Sequence, residues 1–170
     1  LRHIEELYDA GIRQLDNELG RFFSLLKKNG ILDEALIVIT SDHGEEFLDH
    51  GRMDHFLTMY QEVIRVPMII RGPGVPPGLR VKTPVSLVDI APTLLSFANL
   101  ETSLSTDGLD LSPLLRGEAP PAFTNRPIYG EASGGLTYDL MMEGIYPVYR
   151  SLRRGQYKLI FNSKDEDWAL

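Results

Sequence analysis

The 170-residue sequence predicts an α/β domain that passes into a small antiparallel α+β one. Three patterns carry that expectation. An amphipathic helical repeat fills the opening stretch, two short apolar runs read as sheet strands with acids and histidines crowded between them, and the last part contains a hairpin pattern. At 43% hydrophobic and 24% charged residues, the chain can bury one core of ordinary size and begin a second.

From residue 4 to 29 the apolar positions Ile4, Leu7, Tyr8, Ile12, Leu15, Leu19, Phe22, Phe23 and Leu26 recur at three- and four-residue spacing, which puts them on one helix face. Asn29-Gly30 ends the helix, because glycine takes the left-handed conformation past a C-terminus at little cost. Ala35 to Thr40 is continuously apolar and rich in β-branched residues, as in strands covered on both faces at the centre of a parallel sheet. Val66 to Ile70 is a second run, and Pro67, which cannot donate to a ladder, belongs at its start or edge. Gly72 to Gly78 holds three glycines and three prolines, which leaves only loop.

A helix is expected over Ile90 to Asn99. Ser86 and Asp89 are spaced as a capping box, but a helix opened there puts Pro92 in its interior at a cost of about 3 kcal/mol. Asp89 as the N-cap places Pro92 in the first turn, where its missing N–H is no loss, and is the preferred reading. Residues 101 to 127, rich in Ser, Pro and Gly, read as a long surface crossing. Ile128 to Glu131 reads as a strand, and Val148 to Leu152 with Gln156 to Phe161 as a hairpin turning through Arg153-Arg154-Gly155. The expected division is 1–127 for the main domain and 128–170 for the start of the small one. Leu1 already lies inside the helical pattern and Trp168, Ala169 and Leu170 stop without a polar tail, so the chain is expected to be a fragment.

The formal charge of -7 argues against nucleic acid as a partner, since phosphate contacts need a clustered basic surface. Arg150, Arg153 and Arg154 with Lys158 form the only basic cluster, which reads as hairpin surface. Cysteine is absent, which removes disulfides, thiolate metal sites and a cysteine nucleophile from these residues and leaves the compartment open. No apolar run approaches the roughly 20 residues of a membrane-spanning helix, so no span is expected.

The chemistry gathers after the first strand, in Ser41-Asp42-His43-Gly44-Glu45-Glu46. Ligands in open α/β sheets collect at the carboxyl ends of strands, and a carboxylate beside an imidazole is a natural half of a divalent-metal site. Gly44 lets the backbone turn away beneath them. Taken alone, the dipeptide fits a capping aspartate and a hydrogen-bonded loop histidine better than a metal site. His50 and His55 follow at once, however, so three of the chain's four histidines fall in one loop. A histidine beside a metal can contact an oxyanion or protonate a leaving group, because its pKa lies near neutrality. His55 is the first candidate for that role and His50 the second. Glu62 and Arg65 read as a structural ion pair holding the loop to the sheet.

Ser41-Asp42-His43-Gly44-Glu45, His50-Gly51, Tyr60-x-Glu62-x-x-Arg65-Val66-Pro67-x-Ile69-Ile70 and Gly72-Pro73-Gly74 together resemble the C-terminal half of the sulfatases, of the alkaline phosphatase superfamily. The likeness extends back to Tyr8-Asp9-Ala10, Leu15-Asp16 and Leu19-Gly20. It runs forward through Val88-Asp89-Ile90-Ala91-Pro92-Thr93-Leu94-Leu95, Asp107-Gly108, Pro113-Leu114-Leu115-x-Gly117 and Tyr157-Lys158-Leu159-Ile160. It implies the C-terminal part of an alkaline phosphatase-like sandwich, a mostly parallel sheet flanked by helices, with the start of an antiparallel subdomain. It also implies metal-assisted hydrolysis of a small-molecule or carbohydrate sulfate ester, in which a formylglycine attacks sulfur while metal and cationic groups stabilise developing charge. Asp42 and His43 take the positions of the two metal ligands that this half supplies, and His55 lies near a residue that contacts the sulfate.

The departures from the pattern are specific. The nucleophile motif is missing: there is no cysteine, and Ser112-Pro113-Leu114-Leu115-Arg116 has its proline one place early. The isolated chain is therefore expected to be inactive, and prone to self-association through uncovered strand edges. Calcium follows from the resemblance, but His43 stands where calcium-type members carry asparagine, and imidazole suits Mn²⁺ or Zn²⁺ better. A phosphonate monoester or phosphodiester hydrolase of the same superfamily, or a non-catalytic binding module, remain the alternatives.

Overall fold

The computed structural model describes residues 1–55, 58–101, 105–133 and 148–163, and the backbone of 167–169. Helix α1 (Arg2–Lys28) forms as its periodicity predicts. No residue of it is buried, and Leu7, Ile12 and Leu15 on the apolar stripe are more than half exposed. Its recorded aromatic contact with the rest of the chain is Tyr8, edge-on to Phe47 at 5.2 Å. Gly30, at φ +70°, ends the helix as expected and lets the Ile31 N–H reach back to the Leu26 carbonyl at 2.9 Å.

Strand β1 (Ile37–Thr40) pairs with β4 (Met68–Arg71), from Ile37 opposite Arg71 to Thr40 opposite Met68. The two apolar runs are strands, with Pro67 just outside the ladder, but the pairing is antiparallel. The expectation that β1 would show itself within this chain as the centre of a parallel sheet is thus corrected. Among its described residues, the segment between the strands contains only the short hairpin β2 (Glu46–Phe47) and β3 (Met53–Asp54) and the single turn α2 (Gln61–Ile64). That is too little helix to carry the chain back for a parallel crossover.

A 3₁₀ turn, Leu87–Asp89, runs directly into α3 (Ile90–Phe97). The Ser86 and Asp89 capping box forms in full, with the Ser86 N–H donating to Asp89 Oδ2 at 2.8 Å. Asp89 makes no side-chain cap bond to α3, which corrects the preferred reading of it as the N-cap, although Pro92 still falls in the first turn. Asp89 does more than complete the box. It is fully buried and its two oxygens meet the Arg126 guanidinium at 2.8 and 2.9 Å, while Oδ1 also accepts from the Leu109 N–H at 2.8 Å. Gly108 lies so close beneath that a Cβ there would sit 2.0 Å from the Val88 carbonyl oxygen.

The segment expected as a surface crossing therefore holds the core. Leu111, Leu114 and Leu115, at and within the short helix α4 (Ser112–Leu115), cluster with Phe123, and Met68, Ile70, Val85 and Phe97 pack around them. Sheet strands follow as β5 (Ile128–Ser133), β6 (Val148–Arg154), β7 (Tyr157–Asn162) and β8 (Asp167–Ala169), in that spatial order and all antiparallel. The β6–β7 hairpin turns at Gly155, φ +60°, matching the first position of a type II′ turn. This sheet backs the segment leading into α2: Met59, Tyr149 and Ser151 are buried, and a Cβ on Gly130 would fall 2.6 Å from Met59 Cε.

The buried pair generates a stability prediction. Arg126→Ala strands the Asp89 carboxylate in the interior and should cost about 3–5 kcal/mol in urea denaturation. Arg150→Ala, whose Glu131 pair is mostly exposed on both sides, should cost under about 1 kcal/mol. Equal losses from the two variants would contradict the account of the core.

Candidate active site

The site begins where β1 ends. The Thr40 hydroxyl donates to the Pro67 carbonyl at 2.8 Å, which holds the strand end against the start of β4. The next hydroxyl, on Ser41, donates to the His43 carbonyl at 2.7 Å and curls the motif loop on itself. Within that loop the His43 N–H donates to Asp42 Oδ1 at 3.0 Å. This backbone hydrogen bond is the main cause that holds the Asp42 carboxyl below the usual carboxylate range. The carboxylate itself is open to solvent.

The His43 ring has its tautomer assigned by chemistry. Nδ1 lies 2.9 Å from the Gly44 carbonyl oxygen, which can only accept, so Nδ1 carries a hydrogen and, in the neutral ring, the lone pair is on Nε2. Nε2 sits 3.6 Å from Asp42 Oδ2, a spacing that two ligands of one cation can span at about 2.0–2.2 Å each. The expected pair of metal ligands thus lies together with donors suited to a divalent ion.

Gly44 is required for a reason other than a sharp turn. Its N–H donates to the Val63 carbonyl at 2.6 Å, and a Cβ there would lie 1.9 Å from the Glu62 carbonyl oxygen. Only a residue without a side chain lets the motif loop dock on α2.

The β2–β3 hairpin, with Glu46 opposite Asp54, folds His55 back onto the motif loop. The His55 and His43 rings stack with centroids 3.8 Å apart and planes 20° from parallel. His55 Nδ1 lies 3.2 Å from Glu45 Oε2 and 3.0 Å from Asp54 Oδ1, so two carboxylates orient the ring. His55, the first sequence candidate, is beside the expected ligands. His50 is elsewhere: it stacks on Tyr60 at 3.7 Å, and its Nδ1 contacts Glu62 Oε1. Glu62 is therefore paired with His50, and the expected Glu62–Arg65 ion pair does not form among the described residues.

Two groups escaped the sequence reading. Glu46 is buried and accepts from the Thr58 hydroxyl at 3.0 Å. Lys158, expected on the hairpin surface, instead donates to the Met59 carbonyl, and burial is the chief cause that brings its ammonium down to about 8.

Comparisons with known proteins agree on one family. The sulfatase family model matches residues 3–100, more than half of the chain. Arylsulfatase K of Danio rerio is 33% identical over 173 residues, which takes in 98% of this chain and 33% of that protein. The choline-sulfatase of Rhizobium meliloti is 29% identical over 170 residues, with 98% of this chain and 30% of that protein covered. Among solved structures, a phosphonate monoester hydrolase from Silicibacter pomeroyi superposes with a TM-score of 0.73 at 30% identity, covering 89% of this chain and 33% of that one. The fold is accordingly the α/β one of the sulfatase and alkaline phosphatase type. The chain spans about a third or less of the length of these relatives.

Lys158 makes the stability of this region depend on pH. Its ammonium is charged in both folded and unfolded chain below about 8, so the burial penalty is fully present there. Between about 8 and the ordinary 10.5 the unfolded chain binds more proton, and stability rises with pH. Denaturation of the wild type and of Lys158→Met on either side of that window should show their difference shifting in favour of the wild type as pH rises. A pH-independent difference would place the ammonium in solvent.

Proposed function

We propose that this chain, which belongs to the sulfatase family, supplies half of the metal site and an oxyanion contact of a sulfuric ester hydrolase. The observation that carries the reading is His43. Its Nδ1 is spent on the Gly44 carbonyl, so Nε2 is left as a ligand beside an ionised Asp42 carboxylate, at the end of a strand. A divalent ion bound there would polarise the ester oxygens. Calcium is the family's metal on the resemblance, while the imidazole donor favours Mn²⁺ or Zn²⁺.

The chain's own residues then divide the work. Asp42 and His43 hold the cation. His55, stacked on His43 and oriented by Glu45 and Asp54, holds a proton for a non-bridging or leaving oxygen of the ester. His50, turned toward Glu62, is the second candidate for that proton. The nucleophile belongs to residues outside this sequence, and the isolated chain is expected to show no turnover. Residues 1–127 form the C-terminal part of the catalytic domain in this reading, and 128–170 begin the small subdomain.

The substrate class is a small-molecule or carbohydrate sulfate ester, consistent with a choline-sulfatase among the relatives. A second reading, a phosphonate monoester or phosphodiester hydrolase, is favoured by the Silicibacter pomeroyi enzyme and by the imidazole at position 43. Rates with aryl sulfate and aryl phosphonate esters separate the two.

In the full-length protein, Asp42→Ala and His43→Ala should lose the divalent ion of this site and most sulfatase activity without losing the fold. His55→Ala should keep the metal and lose about a hundredfold to a thousandfold in rate. Normal metal content in both of the first two variants would remove the ligand assignment. For the isolated chain, the uncovered stripe of α1 leads to dimers or larger species in light scattering, and a monodisperse monomer would contradict that expectation.

A further inference from the structure

We infer that Glu46, His50 and Glu62 form a second divalent-cation site, sharing no ligand with Asp42 and His43. Glu46 opens β2, His50 lies in the hairpin turn, and Glu62 belongs to α2. These three separate segments bring one donor atom each to within 4.8 Å of one another.

Closeness of two acids and a histidine says little alone. What points to a cation is the state of Glu46, whose side chain belongs to a residue only 1% exposed. Oε2 accepts from the Thr58 hydroxyl, while Oε1 is buried and has no hydrogen-bond partner among the described residues. An interior carboxylate with an unmet oxygen is costly, and it faces a second carboxylate, Glu62, that is itself mostly buried. Glu62 already meets His50 and feels the Lys158 charge, although the Lys158 hydrogen bond goes to the Met59 carbonyl, so the group left unmet is Glu46 Oε1. A small divalent ion held by Glu46, His50 and Glu62 would meet the orphaned oxygen and offset the buried Glu46 charge.

The donor set names the class of ion. Two carboxylates and one imidazole, with a position left for water, suit Zn²⁺ or Mn²⁺ rather than Ca²⁺, which takes all-oxygen cages of six to eight ligands. The consequence is positional. An ion here ties the β2–β3 hairpin to α2, and α2 is the element on which Gly44 docks. It would therefore hold His55 in register with His43. The inference rests on the proposed function in one respect: His55, not His50, faces the ester.

The test uses the full-length protein carrying Asp42→Ala and His43→Ala together, so that the first site is silenced. After equilibration with Zn²⁺ and removal of free metal, elemental analysis should find one equivalent retained. Adding His50→Ala, at a half-exposed ring, should take bound Zn²⁺ from one equivalent to none. The Zn²⁺-induced rise in melting temperature should vanish with it. Glu62→Gln should act in the same direction. Zn²⁺ lost entirely in the Asp42 and His43 background, or retained after His50→Ala, would overturn the inference. Failure of the first site leaves a distinct signature: Asp42→Ala and His43→Ala then leave metal content unchanged while His50→Ala still lowers it.

Discussion

The candidate site depends on one close approach, the backbone of Gly44 against the carbonyls of Glu62 and Val63. Any Cβ at position 44 would overlap the Glu62 oxygen, so the motif loop can meet α2 here only with glycine. The contact does two things. It sets the direction of the Gly44 carbonyl, which in turn selects the His43 tautomer and turns Nε2 toward Asp42. It also brings Glu62 to His50, so that the hairpin and its His55 return over the motif loop.

Support for that arrangement comes from two other places. Beneath β4, the apolar cluster around Leu111, Leu114 and Phe123 touches Met68 and Ile70, the strand that pairs with β1. The Asp89–Arg126 pair closes this core by joining the start of α3 to the approach of β5. From the other side, the antiparallel sheet seats Gly130 on Met59 and reaches with Lys158 to the same residue's carbonyl. Segment 58–62 thus lies between the motif loop and the small sheet. Each of its backbone contacts converts a distant part of the sequence into a constraint on the histidines.

How much of this was legible in sequence depended on whether the signal was local. The place of Asp42 and His43 at a strand end could be read because the apolar run before them marks the strand, whereas residue type alone favoured a capping aspartate and a loop histidine, and the metal-ligand role came from the resemblance. Helix α1, both apolar strands and the β6–β7 hairpin could be read because periodicity and Gly155 announce them. The direction of the β1–β4 pairing could not, since an apolar run is the same in either orientation. The core in 105–127 was hidden because its leucines sit among Pro, Gly and Ser with no period to mark them. Glu62 was given the wrong partner because Arg65 is nearer in sequence, while His50 is brought to it only by the hairpin. Lys158 meets a carbonyl 99 residues earlier, a contact that no spacing rule reaches.

The central claim is that Asp42 and His43 share one divalent cation. Anomalous scattering from crystals of the full-length protein grown with Mn²⁺ tests it most directly. The account predicts an anomalous peak about 2.0–2.3 Å from both His43 Nε2 and an Asp42 carboxylate oxygen. It also predicts that His43 Nδ1 stays hydrogen-bonded to the Gly44 carbonyl. A metal peak at full occupancy that leaves both Asp42 and His43 out of its coordination sphere would contradict it.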